Sequence, residues 1–277
     1  MPVPTPGEEA LALALEVPTG FEIEFNIKGT VIDGDRHRPV NRYNYGDILG
    51  RVPGWQSGND PGDNAEMRSE HPTPLGEQFD RLRAFCEWTD EAMSRDNVGL
   101  CITHGKNRSC HVHINRNPAE GRAINVEHFV KAWLAMRDEA YTLCADPGRL
   151  DMYWCRRLSD DDLDGGIAYY GKCRELERSN NFQTLELRIW DSTSDADLLL
   201  RRAEFLQRLI ATSIQMELDV EAAAHARAEH NAEVADQARE RLRAADEQAW
   251  ATLGQLALPS IPPPYTQEVH HAPYATV

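Results

Sequence analysis

The sequence predicts an α+β fold in which several strands share a sheet and helices pack against one of its faces. Residues 21–25, 110–114 and 185–189 each alternate apolar residues with polar or charged ones. Side chains of a strand point alternately to its two faces, so each segment would place its apolar residues on one face and its polar pair on the other. Residues 74–93, 126–144 and 194–218 instead carry apolar residues at helical spacing. A sheet with one charged face and one apolar face against helices accounts for both patterns.

The remaining elements follow from turn and cap signals. Pro74 is expected to open the first helix, Asn125 to cap the second, and Asp195 and Asp197 to lie in the first turn of the third. Residues 65–69 form a further candidate strand, and segments 98–103 and 110–115 are predicted to form a hairpin across the turn-rich residues 104–109. Residues 28–63 are rich in Gly, Asp, Asn and Pro, which predicts a long irregular excursion with at most one hairpin.

Composition divides the chain into four parts. Residues 1–18 are predicted to be a flexible lead-in, and residues 19–218 to form the main domain. Residues 219–251 are charged and Ala-rich with few large apolar side chains, which is typical of a solvated helix or of an arm that docks a protein partner. Residues 252–277 are Pro-rich and are expected to be a disordered tail.

Charge and cysteine usage restrict the class of protein. The chain has 277 residues, 29 Lys and Arg against 45 Asp and Glu, and a formal charge of −16. General binding to nucleic acid needs a basic surface, so this charge argues against it and favours a site that concentrates cations. The six cysteines form no CxxC pair, so reduced thiols are expected, although disulfides stay formally possible. No signal or membrane-spanning segment is evident, and a cytoplasmic protein is expected.

Glu22 and Glu24 would project from the same face of the first strand. Two ionised carboxylates at short range in a partly dry site repel each other strongly. A divalent cation between or beside them would remove that repulsion. The alternative is a surface strand that carries two solvated glutamates.

Two further polar pairs would join this face. His111 and His113 project together from one strand, and imidazole with carboxylate is a normal ligand set for Mn²⁺ or Zn²⁺, whereas Mg²⁺ is held mainly through oxygen atoms and water. Glu186 adds another carboxylate. The planar guanidinium of Arg188 suits a phosphate group, or it pairs with a carboxylate on a neighbouring strand. The three pairs together indicate a metal site more strongly than any of them alone.

In chain order, four motifs resemble those of the amidoligase family, relatives of glutamine synthetase and glutamate–cysteine ligase in the carboxylate–amine ligase superfamily. The motifs are GFEIEF, an acidic AEMRSEHP followed by a helix, CHVHI, and TLELRIWDST followed by a long helix. The resemblance covers residues 19–218. It implies a catalytic domain with a curved, mainly antiparallel sheet, whose concave face binds nucleotide and metal and whose other side is covered by helices.

The resemblance also implies a ligand set and cofactors. The cofactors would be ATP and two or more Mg²⁺ or Mn²⁺ ions. Glu22, His111 and Glu186 would share one ion, and Glu24 and Glu66 would hold another. A third carboxylate for the second ion is not identifiable in the sequence. A Gly-rich phosphate loop is also missing, as expected for this superfamily.

The implied reaction is formation of an amide bond. ATP phosphorylates a substrate carboxylate, and an amine then attacks the acyl phosphate. Arg188 would contact the transferring phosphoryl group, His113 would orient a substrate or a ligand, and Arg116 and Lys172 are candidates for nucleotide contacts. The resemblance implies a peptide or small amino compound as substrate. Specificity is expected from residues 28–63 and 145–182, where Trp55, Tyr153, Trp154 and Tyr170 are candidates to line a cleft.

Two alternatives stay open. The His111 and His113 pair followed by Tyr169 resembles the HUH nickases, in which paired histidines hold a metal and a tyrosine attacks a DNA phosphate. The charge of −16 and the two carboxylate-bearing strands argue against that interpretation. An inactive binding module on the ligase fold is the other alternative. ATP turnover measured beside cleavage of single-stranded DNA would separate the three.

Overall fold

The computed structural model describes residues 3–33, 35–59, 64–94, 101–118, 122–158, 174–179 and 183–255. The strands are β1 (Pro18–Asp33), β2 (Arg36–Val40), β3 (Trp55–Asn59), β4 (Ala65–Ser69), β5 (Thr73–Pro74), β6 (Cys101–Thr103), β7 (Gly105–Asn115), β8 (Leu176–Ser179) and β9 (Thr184–Ser192). The helices are α1 (Glu8–Leu15), α2 (Tyr45–Leu49), α3 (Leu75–Ser94), α4 (Val126–Thr142) and α5 (Ala196–Gln255), and two short 3-10 helices, Pro147–Asp151 and Tyr153–Cys155, follow α4. The chain divides into two units, Met1–Val220 and Glu221–Val277.

The nine strands form a single open sheet with the order β3-β4-β1-β7-β9-β8, in which β2, β5 and β6 also pair with β1. All pairings between these strands are antiparallel within the described residues. The sheet is curved and the helices cover one of its sides, so the predicted α+β class is confirmed. Strand β1 is 16 residues long and pairs with five other strands, which places its side chains at the centre of the sheet.

The apolar face of the sheet packs against the helices and forms the core. Phe25 contacts Tyr45 and Phe85 with ring centroids 5.4 and 6.2 Å apart. Trp190 meets Phe205 of α5 edge to face at 6.0 Å. Alternate residues of three strands are fully buried on this face: Phe21, Ile23, Phe25, Cys110, Val112, Ile114, Leu185, Leu187 and Ile189.

The helix ends follow their local sequence. The Asn125 side chain accepts hydrogen bonds from the backbone N–H groups of Glu127 and His128, as predicted for a cap. Asp195 Oδ1 accepts from the Leu198 N–H at 3.1 Å at the start of α5. From residue 221 to residue 252 the side chains of α5 are exposed, and residues 256–277, the greater part of the predicted tail, lie outside the described residues. None of the described helices is long and apolar enough to cross a membrane.

The N-terminal segment differs from the flexible lead-in expected for residues 1–18. It contains α1, whose Ala10 and Ala14 are fully buried. The Gly7 N–H donates to Gln215 Oε1 at 3.0 Å, and Gln207 Nε2 donates to the Leu11 carbonyl at 3.2 Å. Two alanines four residues apart lie on one helix face, and their small side chains let the helix approach the domain closely.

Residues 28–63 are more regular than predicted. Strand β1 continues to Asp33 and forms the one expected hairpin with β2, and α2 and β3 follow. Tyr45 and Trp55 are buried, and the Trp55 indole N–H donates to the Arg81 carbonyl at 2.9 Å. Trp55 therefore packs in the core, and it also lines a cavity at the β3 edge of the sheet. Tyr153 is exposed, whereas the Trp154 side chain and Tyr170 lie outside the described residues.

The predicted hairpin between residues 98–103 and 110–115 is wrong. Strand β6 pairs with β1, with Asn26 opposite Thr103, and β7 already begins at Gly105. Gly105 and Ser109 of β7 pair with the adjacent residues Ser192 and Asp191 of β9, so residues 106–108 form a bulge between them. Gly105 has a φ of 144°, a value that side-chain-bearing residues rarely adopt. Pairing with strands distant in the sequence, β1 and β9, therefore replaces the hairpin that local turn propensity predicted.

His104 between β6 and β7 predicts a loss of stability in acid. Its Nδ1 lies 2.6 Å from Ser192 Oγ, and burial together with the Arg108 charge lowers its pKa from 6.5 to about 4. Between these pH values the unfolded chain binds a proton that the folded protein does not, so stability is complete above pH 6.5 and falls as pH drops toward 4. Urea unfolding should show the wild type losing about 2 kcal/mol more than His104→Gln between pH 7 and 4.5. Equal losses in both proteins would contradict this assignment.

Candidate active site

The charged face of the sheet is built by the register of four adjacent strands. Residues directly opposite each other in antiparallel strands share a face. Alternation along β1 then places the glutamates on the face opposite to Phe21, Ile23 and Phe25. The facing pairs on the charged side are Glu22 with His111, Glu22 with Arg68, Glu24 with Glu66, and His113 with Glu186.

An irregularity in β9 adjusts this register. Cys110 lies opposite Trp190 and Val112 opposite Leu187, so β9 has one residue more than β7 over the same stretch. An extra residue of this kind is a β-bulge, a feature that redirects side chains near functional sites. Both Ile189 and Trp190 are consequently buried, although they are consecutive.

Glu22 and His111 lie at the centre of the charged face. His111 Nδ1 is 3.5 Å from Glu22 Oε1 and 3.3 Å from Glu186 Oε1. His113 Nε2 is 3.3 Å from Glu22 Oε2. Glu22 therefore contacts both imidazoles, and residues of β1, β7 and β9 meet within hydrogen-bonding or ion-pairing range.

The face holds more buried negative charge than a surface strand would. Glu24, Glu66 and Glu186 are each 7% exposed. Burial raises the pKa of Glu22, but hydrogen bonds with His111 and His113 and their charges hold it well below the usual range. Burial lowers the pKa of His113, yet the Glu22 hydrogen bond and the nearby carboxylates leave it raised. The contact between Glu22 and His113 thus favours the ionised form of each side chain.

Two arginines contact this face from its edges. Arg188 Nη1 lies 2.6 Å from Glu186 Oε1, and its side chain is 23% exposed. Arg68 Nη1 lies 3.7 Å from Glu66 Oε1, and its side chain is 52% exposed. Both guanidinium groups can therefore reach solvent beside the carboxylates, where an anionic ligand would meet them.

The residues present fit a divalent cation. Glu22, Glu24 and His111 each offer a ligand atom, and these atoms lie within 4.8 Å of one another. His111 Nε2 is buried without a hydrogen-bond partner in the described part of the chain, and a buried polar atom of this kind needs a partner. The donor set of carboxylate oxygens and an imidazole suits Mn²⁺, Zn²⁺ or Mg²⁺. Glu186, which the resemblance placed on the same ion, is not part of this group, although its Oε1 lies 3.3 Å from His111 Nδ1, and it also pairs with Arg188.

The other predicted site residues have different placements. Glu66 lies beside Glu24 across the β1–β4 pairing. Arg116 follows β7, where its backbone N–H donates to the Gln183 carbonyl at 2.9 Å and its Nη2 to Gln183 Oε1 at 3.4 Å. The structure thus places Arg116 at the Gln183 end of β9. Lys172 and Tyr169 lie outside the described residues.

Two residues that the sequence patterns did not single out contact the site. The Ser109 N–H donates to Glu24 Oε2 at 2.9 Å. Arg149 Nη2 donates to Ser109 Oγ at 2.7 Å and to the Arg188 carbonyl at 3.0 Å. Ser109 follows the same period of two as His111 and His113, which could have indicated it. Arg149 lies in a 3-10 helix and follows no periodic pattern.

A cavity of about 220 Å³ lies elsewhere, at the β3 edge of the sheet. Met67, one of its lining residues, is opposite Ile23 and so belongs to the apolar face. The carboxylate cluster lies on the other face. The residues that line the cavity are Gly50, Arg51, Val52, Trp55, Gln56, Ser57, Met67 and Glu70.

Comparisons with solved structures find six matching chains. No protein-family model and no curated protein sequence matches the chain. The chain is similar to a chain in the crystal structure of the complex between prokaryotic ubiquitin-like protein Pup and its ligase PafA, with 12% identity and a TM-score of 0.36. The match covers 73% of this chain and 48% of that one. The chain therefore spans about half the length of the protein it matches.

Proposed function

We propose that this chain is a carboxylate–amine ligase that depends on ATP and a divalent metal and forms an amide bond. One observation carries the proposal: Glu22, Glu24, His111, Glu186 and Arg188 converge from three strands on one face of an open antiparallel sheet. The order of the four motifs in the sequence supports the same reaction. The low similarity to the Pup ligase adds no support.

Glu22, Glu24 and His111 would hold a divalent cation, with Glu186 and Glu66 as further carboxylates beside them. When bound, Mg²⁺ or Mn²⁺ would neutralise phosphate oxygens and favour phosphoryl transfer. Buried carboxylates can hold such an ion firmly because the same low-dielectric surroundings that make them repel each other strengthen their attraction to a cation. His113, held by Glu22, would orient the ligand side chains.

Arg188 would act on the reacting groups themselves. In the first step a carboxylate oxygen of the substrate forms a bond to the γ-phosphorus of ATP, and the bond from that phosphorus to the bridging oxygen breaks, which releases ADP. In the second step the amine nitrogen attacks the acyl carbon, phosphate leaves, and the nitrogen loses a proton to solvent. A guanidinium over the equatorial phosphoryl oxygens stabilises the charge of the first transition state, and Arg188 is partly exposed beside the carboxylates.

A peptide or a small amino compound supplies the amine or the carboxylate. Of the segments expected to give specificity, residues 28–33, 35–59 and 145–158 are described, and they would contact the substrate. The exposed part of α5 remains a candidate surface for a protein partner.

The test is a metal-dependent ligase assay with a chemical trap. Purified protein, ATP and Mn²⁺ or Mg²⁺ are incubated with panels of carboxylates and amines, and ADP and phosphate are measured. Hydroxylamine in place of the amine should yield a hydroxamate, because it captures an acyl phosphate. We expect ADP release that requires a carboxylate and stops when the metal is chelated.

Two other results would contradict the proposal. Binding of Mn²⁺ and ATP without turnover on any panel would favour an inactive binding module. Cleavage of single-stranded DNA that is lost in Tyr169→Phe would favour a nickase.

A further inference from the structure

Arg149 is a fully buried cation beside the candidate site. Its side chain is 0% exposed, and it comes from the 3-10 helix Pro147–Asp151 rather than from the sheet. Its Nη2 donates both to Ser109 Oγ on β7, at 2.7 Å, and to the Arg188 carbonyl on β9, at 3.0 Å. One guanidinium nitrogen therefore connects the two strands that carry His111 and Glu186.

The segment that carries Arg149 is fixed to β9 at a second point. Asp191 accepts hydrogen bonds from the Ala145 and Asp146 N–H groups at 2.9 and 2.8 Å. Asp146 Oδ1 in turn accepts from the Gly148 N–H at 2.8 Å, which starts the 3-10 helix. These hydrogen bonds fix the Arg149 backbone relative to β9 independently of the contacts of its side chain.

Both strand contacts of Arg149 lead to candidate site residues. The Ser109 backbone N–H donates to Glu24 Oε2 at 2.9 Å, so the Ser109 side chain held by Arg149 belongs to the residue that orients Glu24. The other contact is to the backbone of Arg188, whose guanidinium lies 2.6 Å from Glu186. A shift of Arg149 would move both Ser109, whose N–H donates to Glu24, and the backbone of Arg188, from which its side chain extends.

We propose that Arg149 is a positioning residue that sets the geometry of Glu24 through Ser109 and of Arg188 through its backbone carbonyl. This inference rests on the proposed ligase function. A buried charge is not needed to fill a core, because an apolar side chain of similar volume stabilises a fold at least as well. The planar guanidinium of arginine, in contrast, fixes the directions of the two N–H bonds of Nη2, so it can hold two acceptors in a fixed relation. Burial lowers the pKa of Arg149, and the Glu24 charge counteracts that effect.

The sharpest variant is Ser109→Ala, which removes only the hydroxyl acceptor and keeps the backbone N–H that binds Glu24. We expect kcat to fall about tenfold with a KM for ATP within about twofold, because misplacement of reacting groups lowers the rate of the chemical step. Mn²⁺ affinity, measured by calorimetry without substrate, should fall severalfold. The melting temperature should change little. Ser213→Ala is the matched control, since Ser213 is also buried and its hydroxyl donates to the Asn125 carbonyl at 3.5 Å.

Variants of Arg149 itself extend the test. Arg149→Met should lower kcat about a hundredfold, and Arg149→Lys should recover part of that loss, because it keeps the charge but not the fork. The double variant Ser109→Ala with Arg149→Met should be no slower than Arg149→Met alone, since both changes remove the same hydrogen bond.

Three results would overturn the inference. One is a wild-type kcat and Mn²⁺ affinity in Ser109→Ala. Another is a double variant whose losses multiply, which would make the two residues independent. The third is a wild type that neither binds Mn²⁺ nor turns over ATP, which would overturn the proposed function as well, whereas the first two leave that function intact.

Discussion

Replacing Glu186 by glutamine is expected to lower ATP-dependent amide formation at least about a thousandfold while the fold persists. The amide keeps the shape of the side chain and removes its charge. Glu186 Oε1 lies 3.3 Å from His111 Nδ1 and 2.6 Å from Arg188 Nη1, so the change weakens both the metal site and the placement of Arg188. Loss of about 4 kcal/mol of transition-state stabilisation corresponds to that factor.

Mn²⁺ calorimetry and a melting curve separate the possible roles of Glu186. A metal-site role predicts weaker Mn²⁺ binding and a melting temperature that is unchanged or higher, because neutralising one buried carboxylate reduces repulsion. Unchanged Mn²⁺ affinity with a lower melting temperature would instead make Glu186 a structural partner of Arg188. Glu217→Gln is the matched control, since Glu217 pairs with Arg122 at 2.9 Å on α5 and should affect neither activity nor metal binding.

Replacing Arg202 by methionine is expected to lower the free energy of unfolding by about 3 to 5 kcal/mol. Arg202 Nη2 lies 2.8 Å from Asp191 Oδ1, and the two side chains are 0% and 1% exposed. Its other nitrogens donate to the carbonyls of Asp191 and Leu143 at 2.6 and 3.0 Å. Removal of the guanidinium leaves a buried carboxylate with no counter-charge. A loss of this size is a large part of the stability of a typical domain.

Denaturant unfolding of the Arg202 variant beside Arg122→Met provides the check. The Arg122 pair with Glu217 has side chains that are 27% and 30% exposed, so its loss should cost less than about 1 kcal/mol. Similar losses in both variants would show that burial does not determine how much the Asp191–Arg202 pair contributes to the free energy of unfolding. Asp191 also accepts hydrogen bonds from the segment that leads to Arg149. A displaced Asp191 in the Arg202 variant should therefore lower activity at temperatures where this segment unfolds locally.

Local periodicity was sufficient for the strands that carry the site. Alternation in residues 21–25, 110–114 and 185–189 predicted which side chains share a face, and the register of β1, β7 and β9 places them so. The reason is that one face must be buried against helices, and a slip by one residue would expose every apolar side chain. The cap at Asn125 was predictable for an equally local reason.

Pairing partners were not predictable in the same way. The turn-rich residues 105–109 indicated the loop of a hairpin between β6 and β7, yet Gly105 and Ser109 pair with β9 across a bulge, and β6 pairs with β1. The Pro- and Gly-containing N-terminal segment suggested a flexible lead-in, yet α1 packs through Ala10 and Ala14. Turn propensity contributes little energy beside the burial and hydrogen bonds that distant strands and helices supply.

The sequence by itself determined the α+β class, the charged face and the residues that compose it, because the period of two is a local property that burial enforces. Only the tertiary structure decided how those residues divide their contacts. Glu22, Glu24 and His111 offer ligand atoms within 4.8 Å of one another, whereas Glu186 lies 3.3 Å from His111 and also pairs with Arg188. Arg149 reaches the site from a loop about forty residues away from Ser109 in the chain, and no local pattern encodes a contact that depends on how a loop folds back over the sheet.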